Sequence, residues 1–268
     1  MDKYLQANLD LWNEMTGINA KAVSYDLPGF KAGKSTLRSI EREELGDISG
    51  KSLLHLQCHF GMDTISFARL GAQVTGVDFS DKAITLAQSL SAELKIPARF
   101  ICSNIYDVAD KLSDQFDIVH SSYGFLCWLP DVTAWAKIIA HLLKPGGFLH
   151  LVESHPFLSV FENERTTPDL RVCFSYFPSP EPTRWEPDGC YADKEAQVTH
   201  PSYEWTHSLG EIISALIDSG LRIDFLHEFL FLFWDYFPFM TEGSDRLWRL
   251  PGDHDTIPLT FSLKATKL

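Results

Sequence analysis

The sequence predicts an α/β fold with a doubly wound, mostly parallel sheet, and three observations support this fold class. Between residues 51 and 155, five short apolar runs alternate with amphipathic helical stretches, which is the pattern of consecutive βαβ units. The turn sequence Lys144–Gly147 ends a helix ahead of the fifth run. After a long interruption, Ser208 opens another helix through a capping box, and two further apolar runs bring the predicted strands to seven.

The predicted elements follow from these runs. The strands are Ser52–Gln57, Gln73–Asp78, Arg99–Asn104, Phe116–Ser121, Gly147–Glu153, Leu221–Glu228 and Pro258–Thr266. The helices among the first five strands are Gly61–Leu70, Ser80–Lys95, which Ser80 is placed to cap, and Asp131–Leu143. Each helix carries apolar residues at helical spacing, so we expect one of its faces to pack on the sheet.

We divide the chain into four segments. Residues 1–50 are predicted to form an N-terminal helical cap, with helices at Lys3–Thr16 and Lys34–Leu45. Residues 51–155 form the alternating core that binds the cofactor, and residues 208–268 return to it with a helix and two strands. Residues 156–207 hold seven of the 14 prolines, which predicts an ordered insertion on the substrate side, because long insertions are commonly lids or binding loops.

Composition and charge exclude several classes of protein. The net charge of −13 repels phosphate backbones and argues against a nucleic acid partner. The five cysteines include no C-x-x-C pair, which indicates buried thiols in a reducing compartment. The N-terminus lacks the apolar core of a signal peptide, and the most apolar stretch, Phe225–Phe239, is too short to span a bilayer. The sequence therefore predicts a cytoplasmic protein with no membrane partner.

A strand-to-helix junction at Leu53–Thr64 is the first sign of a ligand site. Such a junction points backbone N–H groups into the crevice at the carboxyl ends of the strands. The next strand ends in Asp78, whose carboxylate has two acceptor oxygens for the two hydroxyls of a ribose. The pair predicts a nucleoside-containing cofactor, but it does not by itself distinguish a nicotinamide dinucleotide from S-adenosylmethionine.

Further motifs decide between these cofactors. The acid in VTGVDFS is followed by Ser103 and Asn104 after the third strand, by the FDIV strand and by the LKPGG turn. This ordered set resembles the class I, Rossmann-like S-adenosylmethionine-dependent methyltransferases, and it is similar to a bacterial subgroup of mostly unassigned substrate that carries LHLQCHFG, WLPD and ESHP. The resemblance implies seven strands with the last one antiparallel. His55, Gln57 and His59 depart from the family pattern of one acid and two glycines, and we expect a shifted but intact site.

The resemblance also implies roles at the cofactor, S-adenosyl-L-methionine, for seven residues. They are Gln57 and Gly61 at the methionine moiety, Asp78 at the ribose, Phe79 against the adenine, Asn104 at its amino group with Ile105 beside it, and Ser121 with its backbone near the sulfonium. Asn104 could equally be an Asx-turn residue, and Phe79 and Ile105 could be ordinary core.

The acceptor side is predicted less directly. His155 and His207 are candidate bases, because a histidine titrates near neutral pH, although each could instead be a structural residue. Candidate substrate-binding residues lie in the cap, after the fifth strand and in the insertion: Trp12, Tyr25, Glu153, Tyr191 and Trp205. No metal is expected, because His55, His59 and His155 lack ligand spacing. The aromatic stretch Phe229–Phe239 is either core, a subunit contact or an apolar wall for substrate.

These observations predict a methyltransferase that acts on a small molecule by direct transfer from the sulfonium to a nucleophile. The alternative is a non-catalytic S-adenosylmethionine-binding protein, which the departures in the first motif favour. A nicotinamide-dependent oxidoreductase would need the glycines that Gln57 and His59 replace. The acceptor atom and a homodimeric state are left open by the sequence.

Overall fold

A computed structural model describes residues 2–252 and 256–268 of the chain. Its centre is a seven-stranded sheet with the order β3-β2-β1-β4-β5-β11-β8. The strands of the chain are β1 (Ser52–Leu56), β2 (Gln73–Asp78), β3 (Arg99–Cys102), β4 (Phe116–Ser122), β5 (Leu143–Ser154), β6 (Thr183–Trp185), β7 (Ser202–Glu204), β8 (Leu221–Phe229), β9 (Thr241–Glu242), β10 (Trp248–Arg249) and β11 (Thr260–Lys267). Strand β11 is antiparallel to both β5 and β8, whereas β1 to β5 pair in parallel, so the predicted fold class is confirmed.

The helices cover both faces of this sheet, and five of the eight in the described residues begin at a side-chain cap. They are α1 (Lys3–Asn19), α2 (Leu27–Lys31), α3 (Ser39–Glu44), α4 (Met62–Arg69), α5 (Asp81–Leu94), α6 (Val108–Lys111), α7 (Val132–Leu142) and α8 (Leu209–Asp218). The Ser80 hydroxyl accepts the Ala83 N–H at 3.0 Å, and the Ser208 hydroxyl accepts the Glu211 N–H at 3.1 Å. Both caps stand where the sequence predicts them, since a serine oxygen satisfies an N–H that the first helical turn leaves free.

Two predicted elements differ in the structure. The stretch Lys34–Leu45 is helical only from Ser39 onward, because the segment before it is held extended by tertiary bonds: Arg69 donates to the Lys34 carbonyl at 2.8 Å. The LKPGG turn is part of β5, which begins at Leu143 and contains a register shift opposite β4. The shift accommodates Gly146 at φ +77°, so a bulge absorbs what the sequence presents as a turn.

The two faces of the sheet differ in polarity. The face under α7 and α8 is apolar, with Trp135, Ile212 and Phe261 fully buried. The face under α3 carries a row of buried histidines in register on β1, β4 and β5, which are His55, His120 and His150. Glu44 at the end of α3 accepts from His150 at 2.9 Å and from the Ser262 hydroxyl at 2.8 Å. These bonds fix α3 across the sheet.

The insertion between β5 and α8 contains little regular structure. It begins with a 3₁₀ turn at Pro156–Val160, and its strands β6 and β7 form a separate antiparallel pair. Its end is tied to α1, because the Asn8 side chain both donates to and accepts from the backbone of Tyr203 at 2.7 and 2.8 Å. The insertion therefore reaches over the sheet to the N-terminal helix.

Candidate functional site

The loop between β1 and α4 keeps a glycine-like backbone without the glycines. Gln57 and His59 lie in the left-handed region at φ +54° and +51°, followed by Gly61 at φ +77°. For a residue with a Cβ this conformation costs about 1–2 kcal/mol, and such strain concentrates at ligand sites. The loop therefore keeps the backbone turn although Gln57 and His59 stand where the family pattern has glycines.

Gly61 is required for packing as well as for conformation. A Cβ built on it would lie 2.6 Å from the Phe100 ring and 2.9 Å from the Ala87 side chain. The start of α4 is thereby pressed against β3 and α5, which aims the N-terminus of α4 along the carboxyl edge of the sheet.

Asp78 ends β2 and faces this loop. Its carboxylate accepts the His59 N–H at 2.8 Å and the Ser80 N–H at 2.9 Å, one on each oxygen. Burial raises the pKa of Asp78 to about 6, against the opposing effect of these hydrogen bonds. Each oxygen keeps acceptor capacity for one more donor, so the two hydroxyls of a ribose fit this carboxylate.

The methionine end of the predicted cofactor has a matching group. Gln57 donates from its side-chain nitrogen to the Phe125 carbonyl at 3.2 Å, while its buried Oε1 has no hydrogen-bond partner among the described residues. A buried acceptor without a partner is costly unless a ligand supplies a donor. The ammonium group of an aminoacyl tail is such a donor, so Gln57 and Asp78 together fit S-adenosylmethionine.

At the adenine side the structure qualifies one expectation. The Asn104 carbonyl oxygen accepts the Tyr106 N–H at 3.1 Å and so makes an Asx-type cap, which leaves one further lone pair for an adenine amino group. Ile105 is buried in the core beside it, and Phe79 stays half-buried after β2. Ser121 is fully buried at the end of β4.

Residues of the cap and the insertion meet above His59. The Tyr25 and Tyr191 hydroxyls hydrogen-bond each other, Asn19 donates to Tyr191 at 2.9 Å, and the Trp12 ring lies 5.3 Å from the His59 ring. We call Trp12, Asn19, Tyr25, His59 and Tyr191 the cover. Three of its members, Trp12, Tyr25 and Tyr191, are candidate substrate residues from the sequence, and the structure brings them together.

His155 and His207 lie outside the cover; both ring nitrogens of His207 are hydrogen-bonded, whereas His155 Nε2 has only an ion-pair contact. His155 accepts the Phe157 N–H at 3.1 Å and pairs with Glu228 at 2.9 Å. His207 bonds the Leu129 carbonyl at 2.7 Å and Glu211 at 3.0 Å. These contacts give each histidine a structural role, and a role as base stays a prediction for both.

Trp205 and Glu153 hold the main chain in place. Trp205 is buried, and its N–H donates to the Cys127 carbonyl at 2.8 Å. The buried carboxylate of Glu153 accepts the N–H groups of Gly124, Phe125 and Ser154 at 2.6–2.7 Å, with a longer bond from Leu126. Glu153 thus shapes the loop that follows β4.

A polar pair that the sequence analysis did not single out lies at the same edge. Glu41 of α3 is 1% exposed, and the Tyr123 hydroxyl lies next to its carboxyl group. Burial raises the pKa of Glu41 to about 7, and nearby Asp63 raises it further. The sequence does contain a signal, because Glu41 stands four residues from both Leu37 and Leu45 and so belongs to the apolar stripe of its helix.

Within residues 2–252 and 256–268, no three histidine, cysteine, aspartate or glutamate side chains form a group that could hold a metal ion. Of the helices in the described part of the chain, none is long and apolar enough to cross a membrane.

Part of the chain is similar in sequence to known proteins. Residues 53–147 match a family model described as a methyltransferase domain. A curated relative, the ubiquinone biosynthesis O-methyltransferase of Chromobacterium violaceum, is 34% identical over 102 residues. That alignment covers 38% of this chain and 44% of the relative, so the chain spans less than half the length of the relative it matches.

Solved structures extend the likeness beyond the matched domain. An S-adenosylmethionine dependent methyltransferase from Mesorhizobium loti shares 20% identity at a TM-score of 0.58, with 93% of this chain and 100% of that chain covered. The glycopeptide N-methyltransferase MtfA, solved with sinefungin, shares 15% identity at a TM-score of 0.56, with 88% of each chain covered. At these identities the likeness concerns the fold.

Proposed function

We propose that this chain, whose residues 53–147 match a methyltransferase domain, is a class I, Rossmann-like methyltransferase that binds S-adenosyl-L-methionine and methylates a small molecule. The domain match supports the family that the motifs predict. When bound, the cofactor supplies a methyl group on a sulfonium, which is already a strong electrophile. The protein then has to align the acceptor, exclude water and accept a proton where the acceptor loses one.

The observation that carries the proposal is the carboxyl edge of β1 and β2. Asp78 has a free acceptor position on each oxygen, and Gln57 Oε1 is buried without a partner among the described residues. The left-handed backbone at Gln57 and His59 keeps the loop in a conformation that glycine adopts freely. We assign Gln57, Gly61, Asp78, Phe79, Asn104, Ile105 and Ser121 to the cofactor site.

The acceptor is assigned by class only. The relative from Chromobacterium violaceum is named for an O-methyltransferase activity and MtfA for an N-methyltransferase activity, so either atom is compatible with the fold. We assign Trp12, Tyr25 and Tyr191 to the acceptor side, since they meet one another and His59 of the loop between β1 and α4. An aromatic cover of this kind favours a small, largely apolar acceptor.

The experiment has two parts. Isothermal calorimetry with S-adenosylmethionine, S-adenosylhomocysteine and NAD tests the cofactor, and binding of NAD alone would contradict the assignment. Formation of S-adenosylhomocysteine with a panel of phenols, alcohols, amines and thiols then tests the activity. Tight cofactor binding with no turnover on any acceptor would favour the alternative, a non-catalytic S-adenosylmethionine-binding protein.

We propose a cytoplasmic protein, because five cysteines without a C-x-x-C pair indicate thiols in a reducing compartment. We also propose that it does not bind nucleic acid, because a net charge of −13 opposes contact with phosphate backbones. A homodimer stays a prediction. Light scattering of the purified protein tests the oligomeric state, and a filter-binding assay with duplex DNA at low salt tests the absence of a nucleic acid partner.

A further inference from the structure

We propose that Glu41 is the general base of the methyl transfer and that Tyr123 stands beside it to position an acceptor hydroxyl group. The proposal rests on the proposed methyltransferase function and names the class of acceptor, a compound whose nucleophile is an O–H group. Nothing in the motif pattern of the family points to Glu41, which lies upstream of the matched residues 53–147.

Glu41 and Tyr123 are short of hydrogen-bond partners in the protein interior. Glu41 Oε2 and the Tyr123 hydroxyl are both buried, and apart from their contact with each other neither has a hydrogen-bond partner among the described residues. They lie close enough to shift the pKa of each other. Buried polar groups of a folded core are normally satisfied, so a pair left short of partners is suited to receive a hydroxyl group from a ligand.

Tyr123 lies at the same edge of the sheet as the proposed cofactor site. Tyr123 directly follows β4, and its N–H donates to the Val152 carbonyl of β5 at 2.8 Å. His55 pairs with His120 across β1 and β4, so Gln57 and Tyr123 emerge at the same carboxyl edge of the sheet. Tyr123 also has a left-handed backbone at φ +50°, a conformation that costs energy and is found mainly where function requires it.

The third argument concerns the walls around the pair. The rings of Phe233 and Trp234 stand edge-on to Tyr123 at 5.5 and 5.8 Å, and the Arg38 guanidinium lies 5.2 Å from the Phe233 centroid. These apolar walls exclude water from the carboxyl group and would hold the apolar body of an acceptor. The aromatic stretch Phe229–Phe239 thereby gains a role at the acceptor.

Glu41 has a route by which it can release a proton to solvent. Glu41 also lines a cavity between α3 and α4, together with Leu37, Arg42, Leu45 and Phe67. Because Glu41 lines this cavity, a proton taken from the acceptor can pass through it to solvent. The pKa of Glu41, raised to about 7 by burial, suits a group that gains and loses a proton near neutral pH.

The step balances without another reagent. The acceptor oxygen forms a bond to the methyl carbon as the bond from that carbon to sulfur breaks, and the electron pair of the broken bond stays on sulfur. The acceptor proton moves to the ionised Glu41 carboxylate, directly or through the Tyr123 hydroxyl. Glu41 then returns the proton to water.

The test compares Glu41→Gln and Tyr123→Phe with wild type on the acceptor that the panel identifies, with catechol as the first probe. We expect Glu41→Gln to lower kcat by about 100-fold or more, with KM for the cofactor unchanged. The rise of wild-type kcat/KM with pH near 7 should disappear in this variant. Glu43→Gln is the matched control, because Glu43 makes the same change at an exposed position of the same helix and should leave turnover unaltered.

A second measurement needs no acceptor or cofactor. Infrared difference spectra of the protein alone, recorded from about pH 5 to about pH 9, should show a buried protonated carboxyl band that titrates near neutral pH. Asp78 contributes to this band near pH 6 and Glu41 near pH 7. The Glu41 component should be absent from Glu41→Gln and present in Glu43→Gln, the exposed control on α3. An unchanged band in Glu41→Gln would overturn the proposal.

The outcomes separate the two proposals. Full turnover by Glu41→Gln on a confirmed acceptor would contradict Glu41 as base and leave the methyltransferase function intact. Turnover confined to amine or thiol acceptors would contradict the hydroxyl class. No turnover by wild type on any acceptor would contradict the proposed function, and the base assignment would fail with it.

Discussion

The cover and the pair formed by Glu41 and Tyr123 lie at the same edge of the sheet but differ in how their polar groups are satisfied. In the cover, the Tyr25 and Tyr191 hydroxyls bond each other and Asn19 donates to Tyr191. In the pair, Glu41 Oε2 and the Tyr123 hydroxyl have no partner other than each other among the described residues. A satisfied network fixes a shape, whereas an unsatisfied buried group keeps its capacity for a ligand. The difference separates a region that closes the site from one that reacts.

The largest loss of stability is expected at Glu153, whose carboxylate accepts the most backbone hydrogen bonds. Glu153→Ala leaves the N–H groups of the loop after β4 without their acceptor and should lower the free energy of unfolding by about 3–5 kcal/mol. Urea denaturation measures the loss. Glu153→Gln, which keeps one acceptor oxygen, should lose less. A loss below about 1 kcal/mol for Glu153→Ala would mean that the hydrogen bonds of Glu153 do not hold the loop after β4.

Asp78 combines both kinds of group, since each oxygen has one N–H donor and one free position. Asp78→Ala should weaken S-adenosylmethionine binding by about 1–3 kcal/mol in calorimetry. Wild-type affinity should also fall as pH drops through about 6, because protonation of Asp78 removes one acceptor. Asp81→Ala, at an exposed position on the same side of the sheet, is the control. An unaltered Kd in Asp78→Ala would refute the ribose assignment.

The unsatisfied pair should reduce stability. The folded pKa of Glu41 is raised to about 7 from an ordinary value of 4.5, so folding favours the neutral form. Its stabilising contribution is complete below about pH 4.5 and is lost as pH rises through about 7. Glu41→Gln should therefore be more stable than wild type at about pH 8, by about 1–3 kcal/mol, and equal to it at low pH. Thermal unfolding across this range checks it; a pH-independent difference would mean that Glu41 does not titrate there.

The smallest effect is expected in the cover. Tyr191→Phe removes one hydroxyl from the network with Tyr25 and Asn19 and should cost about 0.5–1.5 kcal/mol of stability. The affinity for S-adenosylmethionine should stay near that of wild type, because Tyr191 does not touch the Asp78 carboxylate. Calorimetry at one temperature and a denaturation curve suffice. A large loss of affinity without a loss of stability would make Tyr191 a cofactor residue.

The fold could be predicted from the sequence because periodicity and turns act locally. Strand β2 has the bounds that alternation predicts, and the Ser80 and Ser208 caps stand as expected. The site could be predicted only in part. Tyr25 and Tyr191 are 166 residues apart and meet through tertiary packing alone, and Trp205 and His207 anchor the insertion elsewhere. Glu41 was missed because a glutamate in a helix is ordinarily solvated.

The place of β11 in the sheet has a consequence for the order of assembly. It follows all other strands in the chain, yet it lies between β5 and β8. During synthesis, the sheet can pair as far as β5, while β8 must wait for a neighbour that the ribosome has not yet made. The same strand supplies Ser262 to Glu44, so α3 is not fully fixed until then. The part of the sheet formed by β5, β11 and β8 should thus mature last and expose its strand edges longest, so it most needs protection from aggregation.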